Sequence, residues 1–384
     1  MNRDTYQVAL IDDDLDEYAS IAGESLLCAD RDIWRTYVDR VGRDNLRGVY
    51  EGARLAGGMA FYRAAQWFGG NEIPCAGISG VAISPADRGS GACAKLIRTV
   101  LAELRGESVP LASLYASTQY LYRSFGFEHA GTQTQYSIPI SSIQSWDRTM
   151  PVHRFESPSL DTLNEVARIR ACRTNGNLSR TEGLWQRLLK PSGGGDTITY
   201  ILGRMNKPAG YVILRTATRE GGVPQPLVST DLAVNSPPAL QRLFALIHDH
   251  RSMCDSFQWY GPPQDPVIFF ADEQWVSVTS CMRWMLRVID LPAALSQRGY
   301  NPSFNGTLDF EIEDELLVEN SGRWRLTIES GTATVGPGGE GKLRMNIRAL
   351  APLYSSYYRA DQLAQLGVIR SSDDRQLTLA TRAF

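Results

Sequence analysis

The chain is poor in the features that mark several large classes of protein. None of its apolar runs approaches the ~20 residues that a bilayer-crossing helix needs, so no membrane partner is expected. There is no basic excess either. The 39 Lys and Arg face 42 Asp and Glu, for a formal net charge of -3 and a pI of about 5.9. A phosphate-backbone binder carries a basic face, so no nucleic-acid partner is expected. The six cysteines (Cys28, Cys75, Cys93, Cys172, Cys254, Cys281) are scattered, with no C-x-x-C pair and no histidine at ligand spacing. A zinc framework needs close pairs, so no metal is expected. Lone thiols suit a reducing compartment, where they are expected to be buried and unpaired. The amino end, MNRDTYQVAL, lacks the apolar core of a secretory signal, and the expected location is cytoplasmic. No G-x-S-x-G elbow occurs, and none of the four histidines has a Ser or Cys partner in sequence.

What is present suits a globular chain. The 384 residues are 43% hydrophobic and 21% charged, with a mean hydropathy of -0.23. That length predicts about two to three domains at ~150 residues each.

The first block alternates strand and helix signals. Residues 55–62 and 77–83 read as strands, followed by the small-residue turn SPADRGSG (84–91). From Gly91 the apolar positions Ala92, Leu96, Ile97, Val100, Leu101 and Leu104 form a helical stripe. Residues 110–117 read as another buried strand, and 119–125 as a short helix stopped by Gly126. This order predicts an α/β or α+β unit. A polar stretch, 137–151, predicts the first linker. Strands are then expected at 197–203, 211–215 and 227–234, with a helix capped by Ser236 and opened by Pro237. The layout repeats that of the first block but lacks an Arg-x-x-Gly turn. In the last hundred residues, strands at 308–313, 323–329, 333–335 and 342–347 precede a helix at 350–366 and a final extended LTLATRAF. DLPAAL (290–295) is expected to open that segment, with Pro292 in a first helical turn.

The stretch VAISPADRGSGACAKL (81–96) carries the chemistry. A strand leaves its sheet, turns through small residues and enters a helix. The unpaired N–H groups of that turn and the helix dipole attract a diphosphate. Glycines at 89 and 91 let the backbone approach it, and Arg88 adds a charge-assisted bond. An ordinary strand–helix connection would look similar without the residues that follow.

Arg88-x-x-Gly91 after a V-x-I strand resembles the acyl-CoA signature R/Q-x-x-G-x-G/A of the GCN5-related N-acetyltransferases (GNAT), with Cys93 departing at the last position. LYASTQYLYRSFGFEHAG (114–131) is similar to that family's next element: a strand ending in Ser117, a helix carrying Tyr122, then F-G-F. A narrower set includes S-P-x-x-R-x-x-G, L-Y-x-x-F-G-F, RVIDLPAALSQRGY (287–300) and a terminal phenylalanine. Across the whole chain these resemble the enhanced-intracellular-survival (Eis) family of bacterial acetyltransferases.

The resemblance implies a mixed α/β (α+β) fold of three parts. These are an acetyl-CoA-binding GNAT domain at 1–150, a degenerate GNAT-like domain at 151–286 and a sterol-carrier-protein-like domain at 287–384. It also implies a homo-hexamer that acetylates small-molecule amines such as aminoglycosides, and protein lysines, with acetyl-CoA as co-substrate; polyamines are a further candidate acceptor. Carried over residue by residue, the acetyl-CoA site comprises Val81, Ala82 and Ile83 on the strand. Arg88, Gly89, Ser90, Gly91, Ala92, Cys93 and Ala94 follow in the diphosphate loop, then Ser117 and Thr118. Tyr122 would be the general acid, and the carboxylate of Phe384 the general base. Trp34 and Glu24 would line the acceptor site. The family's aromatic before the cofactor strand is Gly80 here, and its penultimate acidic residue is Ala383. Both changes are expected to open and neutralise the amine pocket.

Those roles make chemical sense. An ammonium must lose a proton before its nitrogen attacks a thioester through a tetrahedral intermediate. A thiol's pKa near ~8.5 lies within reach of a phenol near ~10. The competing reading is a non-catalytic acyl-CoA sensor or lipid carrier, and a longer-chain acyltransferase is a third. GPGGEGKL (336–343) imitates a P-loop, but Leu343 stands where a Mg²⁺-binding hydroxyl belongs, so a hairpin loop is expected. His248-Asp-His250 is expected to be a solvated helix end rather than a metal site.

Overall fold

A computed structural model describes residues 5–27, 31–144, 146–192, 195–215, 225–271 and 273–384. Cys28 lies outside the described residues. The chain folds into two compact units. One holds 1–131, 175–178 and 283–384, and the other holds 132–174 and 179–282. The first and last of the three expected segments therefore share one unit.

In the first unit, β1 (Tyr6–Leu10) leads to helices α1 (Leu15–Leu26) and α2 (Arg31–Val41). Strands β2 (Leu46–Glu51), β3 (Arg54–Phe68) and β4 (Asn71–Ile83) follow, then α3 (Ala92–Gly106), β5 (Leu111–Tyr115), α4 (Gln119–Arg123) and the start of β6 (Glu128–Pro139). β1 to β4 form an antiparallel meander. β3 and β4 extend well beyond the expected 55–62 and 77–83, because their arms continue as a ribbon. β5 lies parallel to β4 on one side and antiparallel to residues 284–288 of strand Ser277–Val288 on the other. The six apolar residues of α3 singled out by periodicity are all buried. Each of the five larger ones, Ala92 apart, contributes roughly 1.5–3 kcal/mol relative to exposure.

The carboxyl-terminal segment adds helix Leu291–Gln297 and a five-stranded sheet. Asp290 caps the helix through Ala293 N at 2.9 Å, with Pro292 in its first turn. Leu308, Phe310, Leu326 and Ile328 of the sheet are buried with helices Ile347–Tyr354 and Asp374–Ala383.

Three local expectations fail here for identifiable reasons. LTLATRAF is helical, not extended. Asp373 caps its helix through Arg375 N at 2.9 Å, and Ala380 and Ala383, three apart, are its buried residues. Over so few residues an alternating pattern fits either period. The expected helix at 350–366 is two helices, Ile347–Tyr354 and Ala360–Gln365. The Pro352 carbonyl takes the amides of Tyr357 and Tyr358, and Ser356 turns left-handed at φ 60°. GPGGEGKL joins two strands that do not pair with each other. Thr332–Pro337 pairs with Gly322–Glu329, while Leu343–Asn346 pairs with Gly306–Glu313. The loop therefore crosses the sheet and is no hairpin.

The second unit carries a further run of strands. In it, residues 134–139 of β6 pair with Cys254–Gly261, followed in order by Gln225–Val234, Lys207–Arg215, Thr197–Arg204 and Val152–Arg154. Gln225–Val234, helix Pro237–His248 and parallel strand Cys254–Gly261 reproduce the order β4–α3–β5. The 137–151 stretch is only partly a linker, since Ile138, Ile140 and Ile143 are buried in this unit's core. The five described cysteines are free thiols, but only Cys75 and Cys254 are buried, and Cys281 is exposed.

Candidate active site

β4 and β5 begin as neighbours and then separate. They pair at Cys75–Gly77 with Leu111–Ser113, after which β4 continues to Ile83 and β5 to Tyr115. The facing edges of both strands are thus left without each other's hydrogen bonds. On its other edge β4 carries a bulge. Gly58 lies opposite Ala82 and Ala60 opposite Ser79, so Gly80 and Val81 share one partner, Met59. Bulges bend a strand and re-aim its groups. Here the bulge lies beside the opening, next to Ala82 and Ile83.

The opening leads to the turn before α3. Gly89 (φ 81°) and Gly91 (φ 99°) are left-handed, and a Cβ on either would meet nothing within 4 Å. Gly91 caps α3 with no side-chain bond. Ser90 turns inward, its hydroxyl donating to Asp87 O at 2.6 Å and accepting from Ala92 N at 3.3 Å. Arg54 fixes the turn's first half by a two-pronged pair with Asp87 at 2.7 Å, which holds that carboxyl below its usual range. The amides of Gly89, Gly91, Cys93 and Ala94 have no acceptor among the described residues. Four unpaired donors around open glycines at a helix start suit a diphosphate, and so fit coenzyme A. Arg88 is exposed and bonds Ser25 O and Oγ at 3.3 and 3.1 Å.

The second unit shows what such a turn looks like when it is closed. Ser236 caps its helix by accepting from Ala239 N at 3.4 Å. Pro237 and Pro238 occupy the next two positions, and proline has no N–H to offer.

On the far side of the opening, Ser117 and Thr118 are exposed ahead of α4. Tyr122 is buried at 8% exposure, and its ring packs edge-on to Phe127 at 5.9 Å. Burial first, then the neighbouring Cys93 thiol, pushes the Tyr122 phenol well above its ordinary range. Burial pushes Cys93 itself up to about 11. Neither group is charged near neutrality, so Tyr122 is a proton holder and Cys93 an inert neighbour.

The remaining expected residues fall in two places. Trp34 is buried between Tyr18 and Tyr37, at ring distances of 5.6 and 5.1 Å. Its Nε1 has no partner among the described residues. It borders a pocket with Asp16, Tyr18, Arg35, Val38, Asp39 and Arg43, whereas Glu24 is exposed further along α1 and does not line that pocket. Gly80 does not open the site. The hydroxyls of Tyr18 and Tyr37 fill the space where its Cβ would stand, each at 2.7 Å. Ala383 is buried at 4% exposure and opens nothing either.

Phe384 lies in the carboxyl-terminal core. Its ring meets Tyr300 and Phe310, and the Arg298 guanidinium stands 5.0 Å above it. No hydrogen bond among the described residues joins it to Tyr122. A polar series does lead from it toward the opening. Ser356 Oγ donates to Phe384 O and accepts from Asn175 Nδ2 at 3.0 Å. The neighbouring Gly176 O accepts from Gln66 Nε2 at 3.1 Å. Cys75 Sγ lies 3.3 Å from Gln66 Oε1 and 3.5 Å from Ser113 Oγ, where β4 and β5 part. The sequence gives no signal for this series, because its members come from five separate stretches.

Comparison with known proteins finds three family models along the chain. Two acetyltransferase (GNAT) domain models match residues 9–130 and 176–288, and a sterol carrier protein domain model matches 291–384. The chain is similar to a GCN5-related N-acetyltransferase structure from Anabaena variabilis, with 31% identity and a TM-score of 0.94, over 99% of this chain and 97% of that one. A GCN5-related N-acetyltransferase structure from Kribbella flavida is 25% identical with a TM-score of 0.85, over 100% and 97%. N-acetyltransferase Eis of Mycobacterium tuberculosis is 27% identical over 381 residues, covering 91% of this chain and 88% of that protein.

Proposed function

Because the chain belongs to the Eis family of GCN5-related N-acetyltransferases, and is thereby an N-acetyltransferase, we propose that it transfers acetyl from acetyl-CoA to primary amines such as aminoglycosides, polyamines or lysine side chains. One observation carries the co-substrate: the four unpaired amides of the turn at Gly89–Ala94, beside the gap between β4 and β5. Acetyl-CoA, once bound, would supply the activated acyl group as a thioester and leave as the coenzyme A thiol. The chain's own residues bind and orient it, and handle protons.

The turn grips the diphosphate, and Val81, Ala82 and Ile83 offer backbone groups along the gap. Ser117 and Thr118 stand at the other rim. Backbone donors so placed stabilise oxyanion charge, and proximity of amine and thioester supplies much of the rate. Tyr122 keeps its proton to high pH and gives it to the departing sulfur. The Phe384 carboxylate takes the proton that the amine must lose. The series through Ser356, Asn175, Gln66 and Cys75 supports this role by relating the carboxylate to the gap. The pocket beside Trp34 is lined by two carboxylates, Asp16 and Asp39, and two guanidinium groups, Arg35 and Arg43, so its charges balance and favour neither sign of acceptor. Assembly as a homo-hexamer in the cytoplasm is carried over from the family resemblance.

A thiol-release assay with acetyl-CoA against aminoglycosides, polyamines and lysine peptides tests the reading. Turnover with at least one amine class is expected, and no release with any of them would overturn it. Tyr122→Phe should reduce kcat about 100-fold, the lower range for general acids, with the KM for acetyl-CoA within about twofold.

A further inference from the structure

The five residues of α4 are too few to hold a helix on their own, yet this helix carries Tyr122. Its conformation is set from outside, and the carboxyl-terminal segment supplies part of the hold. Arg123, next to Tyr122, bonds Glu128 from Nε at 3.0 Å to both oxygens and from Nη2 at 2.7 Å. The same carboxylate accepts from Arg348, at 3.3 Å from Nε and 2.8 Å from Nη2. The amide of His129 adds a 3.1 Å bond. Glu128 is therefore shared between the acid's helix and a residue 220 positions away. Burial alone would raise its pKa, but the bonds from Arg123 and Arg348 more than offset that and hold it low. The pair is formed throughout the neutral range.

Arg348 stands in the first turn of helix Ile347–Tyr354. Asn346 caps that helix through Ala349 N at 3.1 Å, and its buried face lies deep in the carboxyl-terminal core. The guanidinium thus starts from a rigid base. A second contact backs it up. The turn after α4 folds onto Tyr122, whose carbonyl accepts from Phe125 N and Phe127 N at 3.0 and 3.2 Å. Gly126, between them, lies against the buried Arg287 guanidinium, so a Cβ there would stand 2.6 Å from Nη1. Asp314 of the carboxyl-terminal segment fixes Arg287 by bonds of 2.8 and 2.7 Å. The turn's glycine is thus required by what packs over it.

We propose that Arg348 is a positioning residue for Tyr122, acting through Glu128 and Arg123, so that the carboxyl-terminal segment holds the acid's helix in its working orientation. The inference rests on Tyr122 being the acid. Misplacing a reacting group by ~1 Å can cost up to about 100-fold in rate, and a loosened five-residue helix permits shifts of that order.

The test is a double-mutant cycle in the full-length chain, with acetyl-CoA and the amine giving the fastest thiol release. Arg348→Ala should lower kcat about tenfold with the KM for acetyl-CoA within about twofold. Arg348→Lys should recover most of the loss. Glu128→Gln, which keeps shape and removes the charge, should reproduce it. Arg325→Ala, which breaks an ion pair with Asp309 elsewhere in the same segment, should keep wild-type kcat. Combined with Tyr122→Phe, Arg348→Ala should change kcat less than about twofold, because the group it positions has gone. Equal losses in both backgrounds, or wild-type kcat in both Arg348→Ala and Glu128→Gln, would overturn the positioning role and leave the acid assignment standing. Full kcat in Tyr122→Phe alone would overturn the acid assignment itself.

Discussion

The hydroxyl of Tyr18 donates to the carbonyl of Gly80 at 2.6 Å, tying α1 to the bulge of β4 beside the gap. Tyr37 reaches the neighbouring Ser79 at 2.7 Å, so both helices are pinned to this part of the strand. Gly80 is left-handed at φ 62°, and both hydroxyls crowd its Cα. Gly80→Ala is expected to destabilise the protein by about 1–2 kcal/mol from backbone conformation alone, with the displaced hydroxyls adding to that. An unchanged denaturation midpoint would show that the bulge tolerates a side chain.

Gly91→Ala isolates the diphosphate turn. No protein atom would clash with the new methyl group, so its folding cost is the ~1–2 kcal/mol of a left-handed non-glycine. On the proposed function its effect on the ligand is direct, because the Cβ would enter the space assigned to the coenzyme. The KM for acetyl-CoA should rise at least tenfold while kcat changes little. An unaltered KM would move the diphosphate away from this turn.

Two extra residues after Phe384 should abolish turnover while leaving coenzyme affinity intact, as measured by calorimetry with coenzyme A. The added peptide removes the carboxylate but leaves the ring between Tyr300 and Phe310. Undiminished kcat in the extended chain would refute the base assignment.

Alkaline stability follows from the buried phenols. Tyr18, Tyr122, Tyr211, Tyr300 and Tyr354 are all raised above the ordinary tyrosine value, in each case chiefly by burial. The folded chain holds these protons after the unfolded chain has released them. Their contribution is therefore complete below about pH 10, the unfolded value, and is lost as pH rises toward the folded values. Thermal unfolding temperatures should be insensitive to these groups between pH 7 and 9 and fall steeply above about 10. A flat profile to pH 11 would mean that these phenols are wetter than their packing indicates.

Much of the first unit was legible in the residues. The stripe of α3, the capping of Pro237–His248 and the start of Leu291–Gln297 rest on spacing and cap chemistry within one or two turns, and such signals survive folding unchanged. The open turn at Gly89 and Gly91 was legible for the same reason, since it is built within a few residues of the chain. Where two periods fitted equally, as in LTLATRAF, the chain alone could not choose. The burial of Ala380 and Ala383 decided it.

The sequence by itself determined the order of the elements, the glycines that leave the turn open and the prolines that close its counterpart. Only the tertiary structure decided that Gly80 is crowded by two tyrosines rather than vacant. It also revealed that Glu128 joins Arg123 to Arg348, and that Phe384 is related to the gap through Ser356 and Asn175. The physical reason is range. Backbone conformation and caps are set by neighbours a few residues apart, whereas the bonds Tyr18–Gly80, Glu128–Arg348 and Ser356–Phe384 join positions at least 28 apart that are brought together only when apolar faces bury one another.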